Sequence, residues 1–253
     1  MKTDISLNVD TNGVRLSNIV KAETRKATDT HVSRIIIITI VLLTFAMFVV
    51  SIYKFGNAAS WTHPFNAISS PACTILPIIF ILLICEEWTR GTALVTYTFV
   101  PQRNKVILAK FIILLVFFLG TIITLYAFSA IASIIASGTN SYSISWSEPI
   151  YSVILLILPL LVNMLFGFSM AIATQETTLA LGLYFFVPPT TVVVSQLPVI
   201  GPYAKWFSLE HSSSIFIAGA TGVTTAQYIC SLFIWIFVPC IIGIFRNMKR
   251  DLN

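Results

Sequence analysis

The sequence predicts an all-α integral membrane protein. It should have six transmembrane helices, an N-terminal amphipathic interfacial helix, and a re-entrant or outer segment between helices five and six. Three observations carry this expectation. First, the 253 residues are 57% hydrophobic and only 10% charged, with mean hydropathy +0.89, whereas a water-soluble domain is about a quarter charged. Second, six runs contain no Lys, Arg, Asp or Glu: Ile35–Tyr53, Ala67–Cys85, Phe111–Ala136, Ile150–Ala173, Leu179–Leu197 and Tyr228–Phe245. Crossing about 30 Å of hydrocarbon takes roughly 20 helical residues. The runs are apolar throughout rather than alternating, which suits helices and not barrel strands. Third, every Lys and Arg except Lys54 and Lys205 falls on one side of the six-span arrangement. Cytoplasmic loops carry the basic excess, so both termini are expected in the cytoplasm and the chain in the plasma membrane.

The elements follow in order. Residues 1–34 form a cytoplasmic segment whose start reads as polar and unstructured. From Val14 on, Leu16, Ile19, Val20, Glu23 and Ala27 recur at helical spacing, with Arg15, Lys21, Arg25 and Lys26 on other faces. That pattern suits a helix lying on anionic headgroups. Glu23 stands on the apolar stripe, as a tolerated polar residue or as a contact with a partner or the next loop. The transmembrane domain spans residues 35–245 and is one domain, without internal repeats. Before its second span, Trp61 and Phe65 suit an interfacial aromatic belt.

A charged loop, residues 86–105, separates the second and third spans and holds Glu86, Glu87, Arg90, Arg103 and Lys105. Glu86 and Arg90 lie one helical turn apart and can pair, worth roughly 0.2–0.5 kcal/mol. Gly91 permits a turn. Ala93, Leu94, Val95, Tyr97 and Phe99 supply a short apolar surface before Pro101. Lys110 follows, placed to snorkel to the headgroups. The minimal inner loop Thr174–Thr178 holds Glu176. The fifth span carries Pro188 and Pro189, which predict a strong bend with freed carbonyls, and Thr190 and Thr191 can satisfy them. Residues 198–225 form the outer segment, and residues 246–253 a basic cytoplasmic tail.

Several function classes are excluded. No glycine precedes a lysine, so there is no phosphate-binding Walker loop. No basic patch with interleaved aromatics points to nucleic acid. Cys73, Cys85, Cys230 and Cys240 sit in apolar runs and read as small buried hydrophobes, not a disulfide framework. Glu86, Glu87 and Arg90 with Phe207 and His211 resemble the motifs of membrane-embedded prenyl endopeptidases. However, Arg90 stands one residue too close to the glutamates, and no third histidine-bearing motif exists. The glutamates and His211 are also expected about 30 Å apart across the bilayer, far beyond the reach of a general base.

The order of elements is the stronger signal. An amphipathic opening helix precedes two spans, a charged inner loop, three spans, an outer segment and a last span. "EEWTRGTALVTYTFVPQRNKVILAK" combines an acidic pair, Gly-Thr, a short amphipathic stretch, Pro-x-Arg and a lysine leading into the third span. "LSNIVKAETRKATDTHVSR" places Glu23 and Lys26 in the opening helix. Together these resemble the membrane-spanning permease subunit of ABC-2 type exporters. The resemblance covers nearly the whole chain, although Gln102 and Asn104 flank Arg103 where further basic residues are common. It implies a separate ABC ATPase subunit that binds ATP and Mg, a second permease copy or paralogue, and no cofactor or catalytic residue in this chain. It also implies coupling to the ATPase through Glu23, Glu86, Glu87, Arg90, Gly91, Thr92, Arg103, Lys110 and Glu176. The second and fifth spans would face the partner subunit. With their prolines Pro71, Pro77, Pro188 and Pro189 read as mid-membrane breaks, the path residues would be Thr74, Phe80, Phe185, Phe186, Thr190, Thr191 and Ser195. The absence of charge in every span suits a hydrophobic or amphipathic cargo such as a drug, antibiotic, peptide or lipid-like compound. Two other classes remain alternatives: a stand-alone secondary transporter or channel, and a membrane immunity or scaffold protein.

Overall fold

A computed structural model describes residues 16–54, 61–62, 64–92, 103–140, 146–147, 150–209 and 224–249. Every regular element among these is helical: α1 (Leu16–Asp29), α2 (His31–Lys54), α3 (Phe65–Thr89), α4 (Arg103–Asn140), α5 (Ile150–Thr174), α6 (Thr177–Ser195), the single turn α7 (Gly201–Ala204), α8 (Thr225–Leu232) and α9 (Val238–Lys249). A π-helical stretch, Phe233–Phe237, joins α8 to α9. Six helices, counting α8 to α9 as one, are long and apolar enough to cross a membrane. The chain is therefore a multi-pass membrane protein by length and composition. The spans exceed the apolar runs at most ends, because helices extend into polar flanks where backbone hydrogen bonds continue. Residues 93–102, with the short apolar surface of the inner loop, lie outside the described residues. So do half of the outer segment (210–223), the start (1–15) and the end of the tail (250–253).

The core lies where α3 and α5 meet. Phe65, Ile68, Ile79, Phe80 and Ile81 of α3 are almost fully buried, as are Leu160, Met164 and Phe166 of α5. Two glycines set how close α5 comes to its neighbours. A Cβ on Gly167 would stand 2.9 Å from Pro77 Cβ, and one on Gly243 would stand 2.2 Å from Ile172 Cγ2. In lipid, where solvent adds no drive, such small residues let helices gain contact by close packing.

The prolines do not interrupt their helices. α3 runs unbroken through Pro71 and Pro77, and α6 through Pro188 and Pro189. The expected mid-membrane breaks are absent from the described backbone. One reason is visible at Pro77, whose ring nitrogen cannot donate to the Cys73 carbonyl four residues back. Tyr184 of α6 brings its hydroxyl to 3.4 Å from that oxygen and 3.0 Å from the Thr74 carbonyl. Pro239 likewise frees the Trp235 carbonyl, and the Ser169 hydroxyl of α5 lies 3.0 Å from it. Thr191 differs from expectation. Its hydroxyl donates to the Pro188 carbonyl at 2.8 Å, not to the Tyr184 and Phe185 carbonyls that the two prolines free.

One aromatic expectation changes as well. Phe65 is buried and stacks on Tyr126 at 4.4 Å between ring centroids, so it belongs to the core and not to an interfacial belt. Trp61 lies between Tyr126 and Trp146, and its carbonyl accepts from Ser129 at 2.8 Å. The four cysteines are free; Cys85 is buried and the other three are half-buried.

Candidate functional site

Four charged side chains meet where α1 packs against the start of α4 and the end of α3. α1 presents Ile19, Glu23 and Ala27 as its buried stripe. Helical spacing puts Lys26 one turn from Glu23, and its Nζ lies 2.8 Å from Glu23 Oε1. The same Nζ reaches Glu87 Oε1 of α3 at 2.7 Å. From α4, Lys110 Nζ stands 2.9 Å from Glu23 Oε2 and 3.2 Å from Glu87 Oε2. It also donates to the Leu83 carbonyl at 2.8 Å, while Glu23 Oε2 receives charge contact without an aligned hydrogen bond. Two carboxylates and two ammonium groups thus form a closed, charge-neutral ring joining three helices.

The ring is sealed. Relative exposure is 2% at Glu23, 6% at Glu87 and 4% at Lys110, while Lys26 alone reaches the surface. Burying single charges is costly, and such a set persists because each charge has two opposite neighbours. Burial favours the neutral amine at Lys26. The Glu87 charge and hydrogen bonds to both carboxylates outweigh that and raise its pKa above 10.5. Lys26 therefore stays charged through the neutral range. On the outer side of α1, hydrogen bonds from Arg25 and Arg34 hold the Asp29 carboxyl below its usual range.

Next to the ring lies a small cavity of about 20 Å³, bordered by Glu87, Trp88, Lys110, Gln175 and Asn247. That is room for about one water molecule. Gln175 forms the whole inner turn between α5 and α6 with Glu176, and its φ of 55° lies in the left-handed region that side chains seldom adopt. Arg246 of α9 donates to the Ala173 and Thr174 carbonyls at 3.0 and 3.2 Å, capping the C-terminus of α5. The Thr89 and Thr177 hydroxyls lie 3.2 Å apart and tie the end of α3 to the start of α6.

The sequence-derived candidates divide accordingly. Glu23, Glu87 and Lys110 come together. Lys110 is buried and paired, which overturns the expectation that it snorkels to headgroups. Glu23 meets Lys110 at the base of the third span and, through Lys26 and Lys110, joins Glu87 of the inner loop. Glu86 and Arg90 pair at 2.7 Å, as their spacing predicts. Gly91 adopts a φ of 69°, so the turn there does require a glycine-like conformation. Thr92 and Glu176 are exposed and stand outside the ring. Arg103 opens α4, and its side chain lies outside the described residues. Lys26, absent from the expected coupling set, joins the ring. Its spacing of three from Glu23 was the available signal.

The path candidates lie apart from this cluster. Thr74, Phe185, Phe186 and Thr190 are exposed, with Phe186 at 74%. Thr191 and Ser195 are half-buried and bonded to their own helix. Phe80 is fully buried edge-on against Phe117 and faces no open space. No group of three metal-ligating side chains occurs among the described residues. The chain matches no protein-family model and no curated protein.

Proposed function

We propose that this chain is the membrane-spanning permease subunit of an ATP-driven exporter of the ABC-2 type, energised by a separate ATPase subunit that binds ATP and Mg. The observation that supports this best is the Glu23–Lys26–Glu87–Lys110 ring. It ties the opening helix and two spans into one unit at the end of the bundle from which the 93–102 loop departs. The Glu86–Arg90 pair and the left-handed Gly91 stiffen the last turn before that loop. A soluble ATPase docked on the loop would push on a seat that cannot deform locally, so its motion would pass to α3 and α4. In this reading α1 lies at the cytoplasmic membrane surface with its basic side toward headgroups, both termini are cytoplasmic, and the 198–225 segment sits at the outer face. A second permease copy or paralogue completes the transporter, and a hydrophobic or amphipathic compound is the cargo.

The test is isolation of the chain from its native membrane, followed by ATPase measurements on the assembled complex. We expect an ATPase bearing Walker motifs to copurify. Gly91→Val strains the turn and Arg103→Glu weakens docking, so both should abolish transport-stimulated hydrolysis while the chain is still made in normal amount. Isolation without any ATPase, or full stimulation in both variants, overturns the reading.

A further inference from the structure

The cavity of about 20 Å³ beside the charged ring is bordered by side chains that seldom lie inside a protein. Glu87 and Lys110 come from the ring, Gln175 from the α5–α6 turn and Asn247 from α9. All four are buried, Gln175 at 5% and Asn247 at 2% exposure. The ring itself joins only α1, α3 and α4, so the cavity is where two further parts of the bundle meet it.

The walls decide what can sit there. On this measure a water molecule needs roughly 10–15 Å³ and two to four polar partners, so the space takes one water and not two. An apolar guest would strip the polar walls of hydrogen bonds. A cation would stand beside the Lys110 ammonium, an anion beside the Glu87 carboxylate, and the ring is already neutral. What fits is a small neutral molecule that both donates and accepts. Lys110 is occupied by the Leu83 carbonyl and the two carboxylates. The Glu87 carboxylate has more acceptor sites than Lys26 and Lys110 fill, and the Gln175 and Asn247 carboxamides can each donate and accept.

Gln175 gives a separate sign. Its φ of 55° strains any residue with a side chain, whereas glycine takes it freely. The turn nevertheless holds a glutamine there and buries it. We infer that the cavity binds one ordered water molecule, which donates to the Glu87 carboxylate and bonds the Gln175 and Asn247 carboxamides. This water ties the ring to the α5–α6 turn and to α9. A bridging water is enthalpically nearly as good as a direct hydrogen bond, so the tie adds hold without adding charge. It does not depend on the exporter reading.

X-ray hydroxyl-radical footprinting of the full chain in phospholipid nanodiscs tests this, with water itself as the probe. A brief pulse splits held and bulk water alike, and the radicals oxidise the nearest side chain. Phe168 borders the cavity and Phe166 does not, while both are buried. Phe168 should be oxidised several-fold more than Phe166. The chain is also mixed with water enriched in the heavy oxygen isotope just before the pulse. The exposed Trp146 should carry heavy oxygen at once, whereas Phe168 should carry light oxygen at the shortest delay and heavy oxygen only later. Val106→Ile adds a carbon to the cavity wall and should bring Phe168 down to the level of Phe166. Gln175→Gly keeps the left-handed turn but drops the carboxamide, and should let heavy oxygen reach Phe168 as fast as Trp146. Asn247→Leu should do the same from the α9 side. Equal oxidation of Phe168 and Phe166 in the native chain would mean a dry cavity and overturn the site. Immediate heavy oxygen at Phe168 would mean an open crevice filled by bulk water, which overturns it too. Unchanged oxidation in Val106→Ile places the water elsewhere, and unchanged exchange in both Gln175→Gly and Asn247→Leu defeats the bridge. The two comparisons on the native chain stand without any variant. None of these outcomes bears on whether an ATPase copurifies, so the two readings fail separately.

Discussion

Lys110 shows how a single side chain can hold three helices. Its ammonium group faces both Glu23 and Glu87 and donates to the Leu83 carbonyl. Lys110→Met leaves two buried carboxylates with one lysine between them, and removing one partner of a buried ionic set costs about 3–5 kcal/mol. The thermal midpoint of the detergent-solubilised chain should fall accordingly. Lys110→Met combined with Glu87→Gln restores neutrality, so the double variant should lose less than the two single losses added together. An unchanged midpoint for Lys110→Met would mean that the ring carries no stability. Part of this was legible in the sequence: a glutamate on an apolar stripe asks for a partner, and Glu86 and Arg90 announce their pair by spacing. Lys110 departs from expectation because a lysine at the end of a span ordinarily reaches the headgroups, and nothing local shows that two carboxylates distant in sequence will close around it.

At the scale of elements, the six spans were legible because hydrocarbon imposes length and apolarity on any helix that crosses it. The behaviour of the prolines was not. Tyr184 and Ser169 meet the carbonyls freed by Pro77 and Pro239 from a different helix, and that pairing exists only after packing. The glycines are similar: composition shows Gly167 and Gly243, but only geometry shows what they face. Gly243→Val should force α9 off α5, because the added carbon falls 2.6 Å from the Ile172 carbonyl carbon as well as on its side chain. Overpacking of this kind costs typically 1–3 kcal/mol. The Gly243→Val chain should elute as aggregate or melt well below the native chain. Gly182→Ala, where the added carbon meets nothing within 4 Å, should behave as the native chain does. Equal behaviour of the two variants would show that the α5–α9 approach is not tight.

For the molecule as a whole, the basic residues give the sharpest expectation. By the positive-inside rule, their asymmetry across six spans predicts that both termini are cytoplasmic. Epitope tags at the two ends of the chain should be inaccessible to antibody in intact cells and become accessible together after permeabilisation. Accessibility of either tag from outside would reverse or break the topology. The proposed function draws at this scale on the order of elements along the chain, beside the four-residue ring.

The close approaches around α5 also divide the molecule mechanically. Gly167 seats α5 on Pro77 of α3, and Gly243 seats α9 on α5. The Cys85 thiol, 3.6 Å from the Ala171 carbonyl, and Arg246 at the end of α5 add polar ties at the same seams. Close-packed surfaces of this kind do not slide by small amounts without losing contact, so α3, α5 and α9 form a chassis that moves as one. α2 and α6 are the least buried of the six spans. A push delivered to α3 at the charged ring would therefore be carried on to α5 and α9 without slip along the frame.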